Sequence, residues 1–214
     1  MTTLILIRHG QSEANIKKCF AGQSNPDLTE NGKKQADVLS DWLINNFNID
    51  KIYSSDLLRA YNTALPTAQK LKKQIVKTKA LREINAGHWQ DTPYEQITKL
   101  YPKEYSTWLN DIGNAVCNGG ESVKQLSQRV TKEIENIINE NPDRTVLIVT
   151  HATPIRVTLS NYIKHDINLT NEIEWVPNSS ATVCECDGSQ RNFTIIGYDG
   201  FLGEMKSRFP KGIV

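Results

Sequence analysis

Two uninterrupted apolar runs constrain the fold of this chain more than any other feature. Residues 4–7 (LILI) and 146–150 (VLIVT) are runs of the kind that form strands buried on both faces of a parallel sheet. Arg8 and His9 follow the first run directly, and His151 follows the second. Ligands of such sheets bind beyond the carboxyl ends of the strands, so these three side chains are predicted to face one crevice. Two histidines beside an arginine indicate chemistry on an anion.

Strand-like and helix-like segments alternate along the rest of the chain, and the last two strands are predicted to form an antiparallel hairpin. The predicted strands lie at 3–8, 51–54, 75–84, 144–150, 179–187 and 192–199, with amphipathic helices between them. This alternation predicts a three-layer α/β/α sandwich around a mostly parallel mixed sheet. We expect one domain over residues 1–214, with a small helical insertion at about 85–122.

Charge and composition exclude several function classes. The 214 residues carry 25 Lys and Arg against 24 Asp and Glu, so nucleic acid and anionic membranes are not predicted partners. The N-terminal apolar run is too short for a signal peptide or a membrane span. The cysteines lack metal-ligand spacing and are expected to be reduced, which favours a cytoplasmic location; they are Cys19, Cys117, Cys184 and Cys186. A homodimer and the role of residues 201–214 stay open.

Polar residues with related chemistry follow four of the predicted strands. They are Arg8, His9 and Asn15 at the first junction, Ser54, Ser55, Asp56 and Arg59 at the second, Glu83 at the third and His151 at the last. Asp56 is predicted to cap the helix that carries Arg59. Because strand ends meet at one edge of the sheet, these groups are expected to form a single site.

Five sequence blocks, spread over most of the chain, resemble those of the histidine phosphatase (phosphoglycerate mutase-like) superfamily and follow that family's order. They are residues 6–15 (LIRHGQSEAN), 28–36 (LTENGKKQA), 54–64 (SSDLLRAYNTA), 81–89 with its Leu-Arg-Glu start, and 149–151 (VTH). A short tripeptide such as Arg-His-Gly would be weak evidence alone, whereas five blocks in order are specific.

The resemblance implies a role for each polar residue. His9 would be the nucleophile that forms a phosphohistidine, and Glu83 would protonate the leaving oxygen and then activate water. The phosphoryl oxygens would be surrounded by Arg8, Arg59 and His151, with Asn15 donating a hydrogen bond. The resemblance implies no metal and no cofactor. For the acid, the carboxylates of Glu13, Glu95 and Glu121 stay open as alternatives to Glu83.

The chain departs from the family pattern at two alanines. Ala152 follows His151 where the family usually has glycine, so the turn there must tolerate a Cβ. Ala21 occupies a place where many members carry a polar side chain that contacts phosphate. We interpret the lost donor at Ala21 as a sign of unusual specificity, and the two alanines together are the support for the alternative of a phosphate-binding module with weak catalysis.

The composition of the insertion favours hydrolysis over a mutase reaction. Residues 85–122 contain two lysines, five acidic residues and no arginine. A mutase must hold a second anionic group of a bisphosphate cofactor, for which arginine is the natural residue. The predicted function is therefore a metal-independent phosphatase that acts on a small phosphomonoester. A cofactor-dependent phosphoglycerate mutase and a phosphate-binding regulatory module with weak catalysis are the alternatives.

An apolar stripe in the insertion has two interpretations. It consists of Tyr94, Ile97, Tyr101, Tyr105, Trp108 and Ile112, at helical spacing interrupted by Pro102. Packing is the first interpretation. In the second, Trp89, Tyr94 and Tyr105 shape a pocket for a partly apolar or heterocyclic leaving group.

Overall fold

A computed structural model describes residues 1–207. Its strands are β1 Thr2–Arg8, β2 Cys19–Phe20, β3 Lys51–Ser55, β4 Ile75–Thr78, β5 Thr92–Pro93, β6 Thr145–Thr150, β7 Ala181–Asp187 and β8 Gln190–Tyr198. Its α-helices are α1 Glu13–Lys17, α2 Glu30–Asn46, α3 Leu58–Leu71, α4 Tyr94–Leu100, α5 Pro102–Asn110, α6 Val123–Glu140 and α7 Ala152–Leu159. The end of the C-terminal tail, residues 208–214, lies outside the described residues.

The main sheet has six strands in the order β4-β3-β6-β1-β7-β8. The first four of these strands are parallel to one another, while β7 and β8 run antiparallel at one edge. The predicted mostly parallel mixed sheet and its terminal hairpin are therefore confirmed. A separate two-stranded sheet pairs β2 with β5 and so ties the start of the insertion to the segment after β1.

The side chains of β1 alternate between two hydrophobic cores, as expected for a strand buried on both faces. Leu4 and Leu6 pack in the core that also contains the apolar faces of α6 and α7. Ile5 and Ile7 pack in the core that contains the apolar faces of α2 and α3. Helices thus cover both faces of the sheet, which confirms the three-layer sandwich.

The insertion carries two short helices, α4 and α5, which are separated at Tyr101 because Pro102 cannot continue the hydrogen bonding of α4. The apolar stripe is largely core: Ile97, Tyr105 and Trp108 are buried together with Trp89. These residues join the same core as α6, so the packing interpretation holds for most of the stripe.

Within residues 1–207, no helix combines the length and the apolar character that crossing a membrane requires. Cys184 and Cys186 are buried on one face of β7, with their Sγ atoms 3.9 Å apart and unbridged.

Candidate active site

The register of the central strands brings the two histidines together. Arg8 at the end of β1 pairs with Thr150 at the end of β6, so the next residues, His9 and His151, leave the sheet side by side. Their ring centroids lie 5.1 Å apart, and both rings are buried. The two rings are neighbours, as the apolar runs predict, but His9 is among the residues that line the cavity described below whereas His151 is fully buried and is not.

Hydrogen bonding fixes the tautomer of His9. Its Nδ1 lies 2.7 Å from the carbonyl oxygen of Gly10, which can only accept, so Nδ1 carries the proton and Nε2 keeps its lone pair. Burial, followed by the positive charges of Arg59 and Arg8, holds the pKa of His9 well below its ordinary value of 6.5. The imidazole is therefore neutral at pH 7 and able to act as a nucleophile.

His151 is held by a serine from the adjacent strand. Its Nε2 lies 2.8 Å from the hydroxyl oxygen of Ser55, at the end of β3. Within residues 1–207, Nδ1 of His151 is buried and has no hydrogen-bond partner. Burial, then the charge of Arg59 and the neighbouring His9, lowers the pKa of His151 well below 6.5.

Two buried arginines converge on the same crevice. Nη1 of Arg59 donates to the carbonyl oxygen of Ser24 at 2.8 Å and Nη2 donates to that of Gly22 at 2.7 Å. Arg8 donates through Nη1 to the carbonyl oxygen of Val176 at 2.7 Å. Burial lowers the pKa of each arginine to about 10, and the negative charge of Glu83 acts in the opposite direction. Both guanidinium groups stay charged at pH 7.

Glu83 points into the crevice from the loop after β4. Its Oε1 accepts from the backbone N–H of Ile84 at 2.8 Å, and its Oε2 accepts from that of Thr153 at 3.3 Å. Thr153 lies in the first turn of α7, the helix that begins directly after His151. The carboxylate of Glu83 is therefore tied to the helix that follows the second histidine.

The other carboxylates that the sequence leaves open are placed elsewhere. Glu121 forms an ion pair with Arg129, and Glu95 forms an exposed ion pair with Lys99. Glu13 is absent from the described lining of the crevice. Of these four carboxylates, Glu83 is the one among the described lining residues of the crevice.

Asn15 lies at the side of the crevice with its amide oriented by neighbours. Its Oδ1 accepts from the backbone N–H of Ser12 at 3.0 Å and from Nδ2 of Asn178 at 3.2 Å. With the oxygen engaged in this way, Nδ2 is the atom left to donate to a ligand. Asn178 also donates to the carbonyl oxygen of His9 at 3.0 Å.

One cavity collects most of the predicted residues. It is lined by Arg8, His9, Asn15, Arg59 and Glu83, with Ala21, Ala152, Thr153 and four aromatic residues, Phe20, Tyr94, Trp108 and Trp175. Of the three aromatic residues that the pocket interpretation names, Tyr94 lines the cavity, while Trp89 and Tyr105 pack in the core.

The prediction for Asp56 is wrong. The N-cap residue of α3 is Leu57, and the backbone N–H of Leu58 at that helix end donates to Oδ1 of Asn25 at 2.7 Å. Instead, the carboxylate of Asp56 accepts two hydrogen bonds at 2.6 Å from the guanidinium group of Arg82. A bidentate ion pair with arginine is stronger than a single capping hydrogen bond. The carboxylate of Asp56 therefore binds Arg82, in the loop that carries Glu83.

The backbone accommodates both alanine departures. Ala152 is the first residue of α7 and has a helical conformation, so its Cβ causes no strain. Ala21 precedes Gly22, which must be glycine because its φ is 50° and a Cβ added there would lie 2.5 Å from the Cβ of Ala86. The methyl groups of Ala21 and Ala152 both line the cavity, which makes its wall less polar there.

The sequence gives no role to three residues that the structure places at the site, namely Ser55, Trp175 and Asn178. Ser55 lies in a recognised block but has no assigned function. Trp175 and Asn178 lie in the segment between α7 and β7, where no periodic pattern or strand end marks them. They reach the site only because this segment returns to the end of β1, where the N–H of Ser179 donates to the carbonyl oxygen of Arg8 at 3.0 Å.

Comparison with known proteins places this chain in a family. The family model described as the histidine phosphatase superfamily (branch 1) matches residues 4–198. Phosphoserine phosphatase 1 of Hydrogenobacter thermophilus is 35% identical over 156 residues, which cover 73% of this chain and 74% of that protein. A protein of Arabidopsis thaliana named metal-independent phosphoserine phosphatase is 28% identical over 213 residues, covering 94% of this chain and 89% of its own length.

A solved structure is similar over nearly the whole chain. It is a mutant phosphoserine phosphatase of Entamoeba histolytica in complex with phosphoserine. The TM-score is 0.83 at 25% sequence identity, and the match covers 94% of this chain and 100% of the other. The sandwich described above is therefore the fold of these phosphatases.

Proposed function

This chain belongs to the histidine phosphatase superfamily and is a phosphatase with a histidine nucleophile, and we propose that His9 is that nucleophile in the metal-independent hydrolysis of small phosphomonoesters. The observation that carries the proposal is the neutral His9, with Nε2 free to attack, beside two buried arginines and one glutamate. We also propose that residues 1–214 form a single domain, with the insertion at about 85–122, and that the protein is cytoplasmic.

In the first step, Nε2 of His9 attacks phosphorus. A P–N bond forms while the P–O bond to the leaving group breaks, and the leaving oxygen takes a proton from the carboxyl group of Glu83. Arg8 and Arg59 stabilise the charge on the equatorial oxygens, and Asn15 donates a hydrogen bond to them. His151, with Nε2 engaged by Ser55, presents Nδ1 to the same oxygens.

In the second step, water attacks the phosphohistidine. The carboxylate of Glu83 accepts a proton from this water, the P–N bond breaks, and inorganic phosphate leaves with His9 neutral again. The hydrogen bond from Nδ1 of His9 to Gly10 keeps the ring in one orientation through both steps.

The charges around the cavity support hydrolysis over a mutase reaction. Among the described residues, the cations that line it are Arg8 and Arg59, and both lie beside His9. The insertion contributes Tyr94 and Trp108 to the lining and no cation. A bisphosphate cofactor would lack a partner for its second anionic group on this side.

The same wall favours a substrate class. Phe20, Tyr94, Trp108 and Trp175 form its apolar part, and the methyl groups of Ala21 and Ala152 extend it. We propose that the leaving group is partly apolar or heterocyclic, because aromatic side chains bind planar groups by stacking and edge contacts. Phosphoserine, the substrate in the names of similar proteins, is the polar alternative.

The proposal is tested by phosphate release from a panel of monoesters in the presence of a chelator. The panel contains nitrophenyl, naphthyl and α-ribazole phosphates, phosphoserine, sugar phosphates and 3-phosphoglycerate. We expect turnover by the wild type, none by His9→Ala, and full turnover by the control His165→Asn. His165 is exposed, and its φ of 56° suits asparagine.

Two results would contradict the proposal. Turnover that survives in His9→Ala would remove His9 from the role of nucleophile. Vanadate binding without turnover by the wild type would indicate a binding module, or a mutase if phosphoglycerate isomerisation then requires a bisphosphate.

A further inference from the structure

The guanidinium group of Arg129 uses all five of its N–H donors. Arg129 lies on α6. Its Nε donates to Oε1 of Glu121 at 2.7 Å, and one hydrogen of its Nη2 donates to Oε2 of Glu121 at 2.9 Å. The other three donors go to backbone carbonyl oxygens of one loop, namely those of Ala80 at 2.9 Å, Arg82 at 2.8 Å and Glu83 at 2.9 Å. Arginine is the only side chain with five donors, so no other residue could make this set of bonds.

The loop that receives these bonds carries Glu83. Between the end of β4 at Thr78 and the start of β5 at Thr92, no ladder of the main sheet satisfies its carbonyl groups. Carbonyl groups outside a sheet or helix need other partners, and Arg129 donates to three of them. Glu121 fixes the far end of the loop, because its Oε2 also accepts from the backbone N–H of Asn85 at 3.1 Å.

We infer that Arg129 is a positioning residue for Glu83, and that its ion pair with Glu121 holds the loop at the distance from phosphorus that proton transfer requires. The inference rests on the proposed function, in which Glu83 is the acid. Arg129 is one quarter exposed in its side chain and does not line the cavity, so it acts through the loop and not on the substrate.

Misplacement of the loop has a distinct kinetic consequence. An acid displaced by about 1 Å can cost on the order of 100-fold in rate. The rate should fall with alkyl phosphates, because their leaving oxygen needs a proton. It should change little with nitrophenyl phosphate, because that leaving group departs as an anion. Loss of general stability would instead lower the rate with both substrates equally.

The test compares kcat/KM for propyl phosphate and nitrophenyl phosphate in the wild type, Glu83→Gln, Arg129→Lys and the double variant. This parameter reports transfer to the histidine and excludes the later hydrolysis of the intermediate. Lysine keeps the charge but has three donors, so Arg129→Lys should lose about 10- to 100-fold with propyl phosphate. With nitrophenyl phosphate the loss should stay within about threefold. The double variant should be no slower than Glu83→Gln, because both changes remove one function.

Arg191→Lys is the matched control. Arg191 also forms an ion pair with a glutamate of α6, Glu135, at 2.6 Å, and donates to the carbonyl oxygens of Gly188 and Gln190. It lies near the turn of the β7–β8 hairpin, at the end of the sheet opposite His9. Its substitution should leave the ratio of the two kcat/KM values unchanged.

The outcomes separate this inference from the proposed function. Suppose that Glu83→Gln loses rate selectively with propyl phosphate. Equal losses for both substrates in Arg129→Lys, or additive losses in the double variant, would then overturn the role of Arg129 and leave the acid role of Glu83 intact. Equal losses in Glu83→Gln overturn the acid role and the inference together. If Arg129→Lys does not fold, Glu121→Gln is measured instead, and it should show the same selective loss at smaller size, because one carboxylate oxygen remains as an acceptor.

Discussion

Nε2 of His151 lies 2.8 Å from the hydroxyl oxygen of Ser55. Ser55 ends β3 and His151 follows β6, and these strands pair directly in parallel, so the contact joins two adjacent strand ends. Both side chains are fully buried. The hydroxyl group therefore sets the orientation of the ring and leaves Nδ1 as its nitrogen without a hydrogen-bond partner within residues 1–207.

Ser55→Ala should lower kcat/KM about tenfold, the value of one buried hydrogen bond of roughly 1.4 kcal/mol. The loss should appear with alkyl and nitrophenyl phosphates alike, because the proposed mechanism places His151 at the phosphoryl group and not at the leaving group. The control is Ser40→Ala, a buried serine of α2 whose hydroxyl has no hydrogen-bond partner within residues 1–207. Unchanged kinetics in Ser55→Ala would show that the packing of neighbouring groups alone orients His151.

The placement of Arg8, His9 and His151 at adjacent strand ends could be predicted from the sequence because it depends on local pattern. Arg8 ends β1, His9 and His151 directly follow β1 and β6, and an apolar run marks the extent and burial of each strand. The carboxyl ends of parallel strands share an edge, so the run lengths alone indicate that the residues after them are neighbours. Arg59 and Glu83 follow by the same argument together with the family blocks.

The residues that orient this chemistry could not be predicted, because their partners are distant in the chain. Arg129 reaches backbone carbonyl groups 46 to 49 positions away, and carbonyl groups leave no mark in a sequence. Asn178 and Trp175 reach the site from a segment without periodicity. The partner of Asp56 could not be predicted either. An aspartate is equally suited to cap a helix and to form an ion pair with an arginine such as Arg82, so the residue type does not distinguish the two.

Arg59→Lys should reduce transition-state binding by about 1.5–3 kcal/mol, which corresponds to roughly 10- to 150-fold in kcat/KM. Two donors of Arg59 bind the carbonyl oxygens of Gly22 and Ser24. The ammonium group of a lysine that kept these hydrogen bonds could not also donate two hydrogen bonds to phosphate. Steady-state kinetics with nitrophenyl phosphate give the value. Arg144→Lys, at an exposed position, is the control. Wild-type kcat/KM in Arg59→Lys would place Arg59 outside the phosphate site.

Trp175→Leu should raise KM for naphthyl phosphate about three- to tenfold and change KM for propyl phosphate much less, because an aromatic contact is lost only with the aryl group. The indole lines the cavity and lies under the guanidinium group of Arg156, 4.3 Å from the ring centroid. Trp42→Leu is the control, since Trp42 stacks on Phe201 on the other side of the sheet. Equal KM changes for both substrates would contradict the proposed aromatic leaving-group site.

The two buried histidines should make the stability of the fold fall in mild acid. Their pKa values are lowered in the folded state, while unfolded histidine takes up a proton near its ordinary value of 6.5. Below that pH the unfolded state binds more protons, so the free energy of unfolding decreases as pH falls. Each histidine contributes a slope of up to about 1.4 kcal/mol per pH unit.

Urea unfolding between pH 5.5 and 7.5, in a buffer without phosphate, measures this slope. Well above pH 6.5 both folded and unfolded histidines are neutral, so the contribution should level off there and decline towards the acid side. His151→Asn should reduce the acid-side slope by about half, because one of the two protons no longer distinguishes the states. His165→Asn, at an exposed position, is the control. An unaltered slope in His151→Asn would mean that the ring of His151 is protonated in the folded protein, and it would then carry a positive charge into the phosphate site.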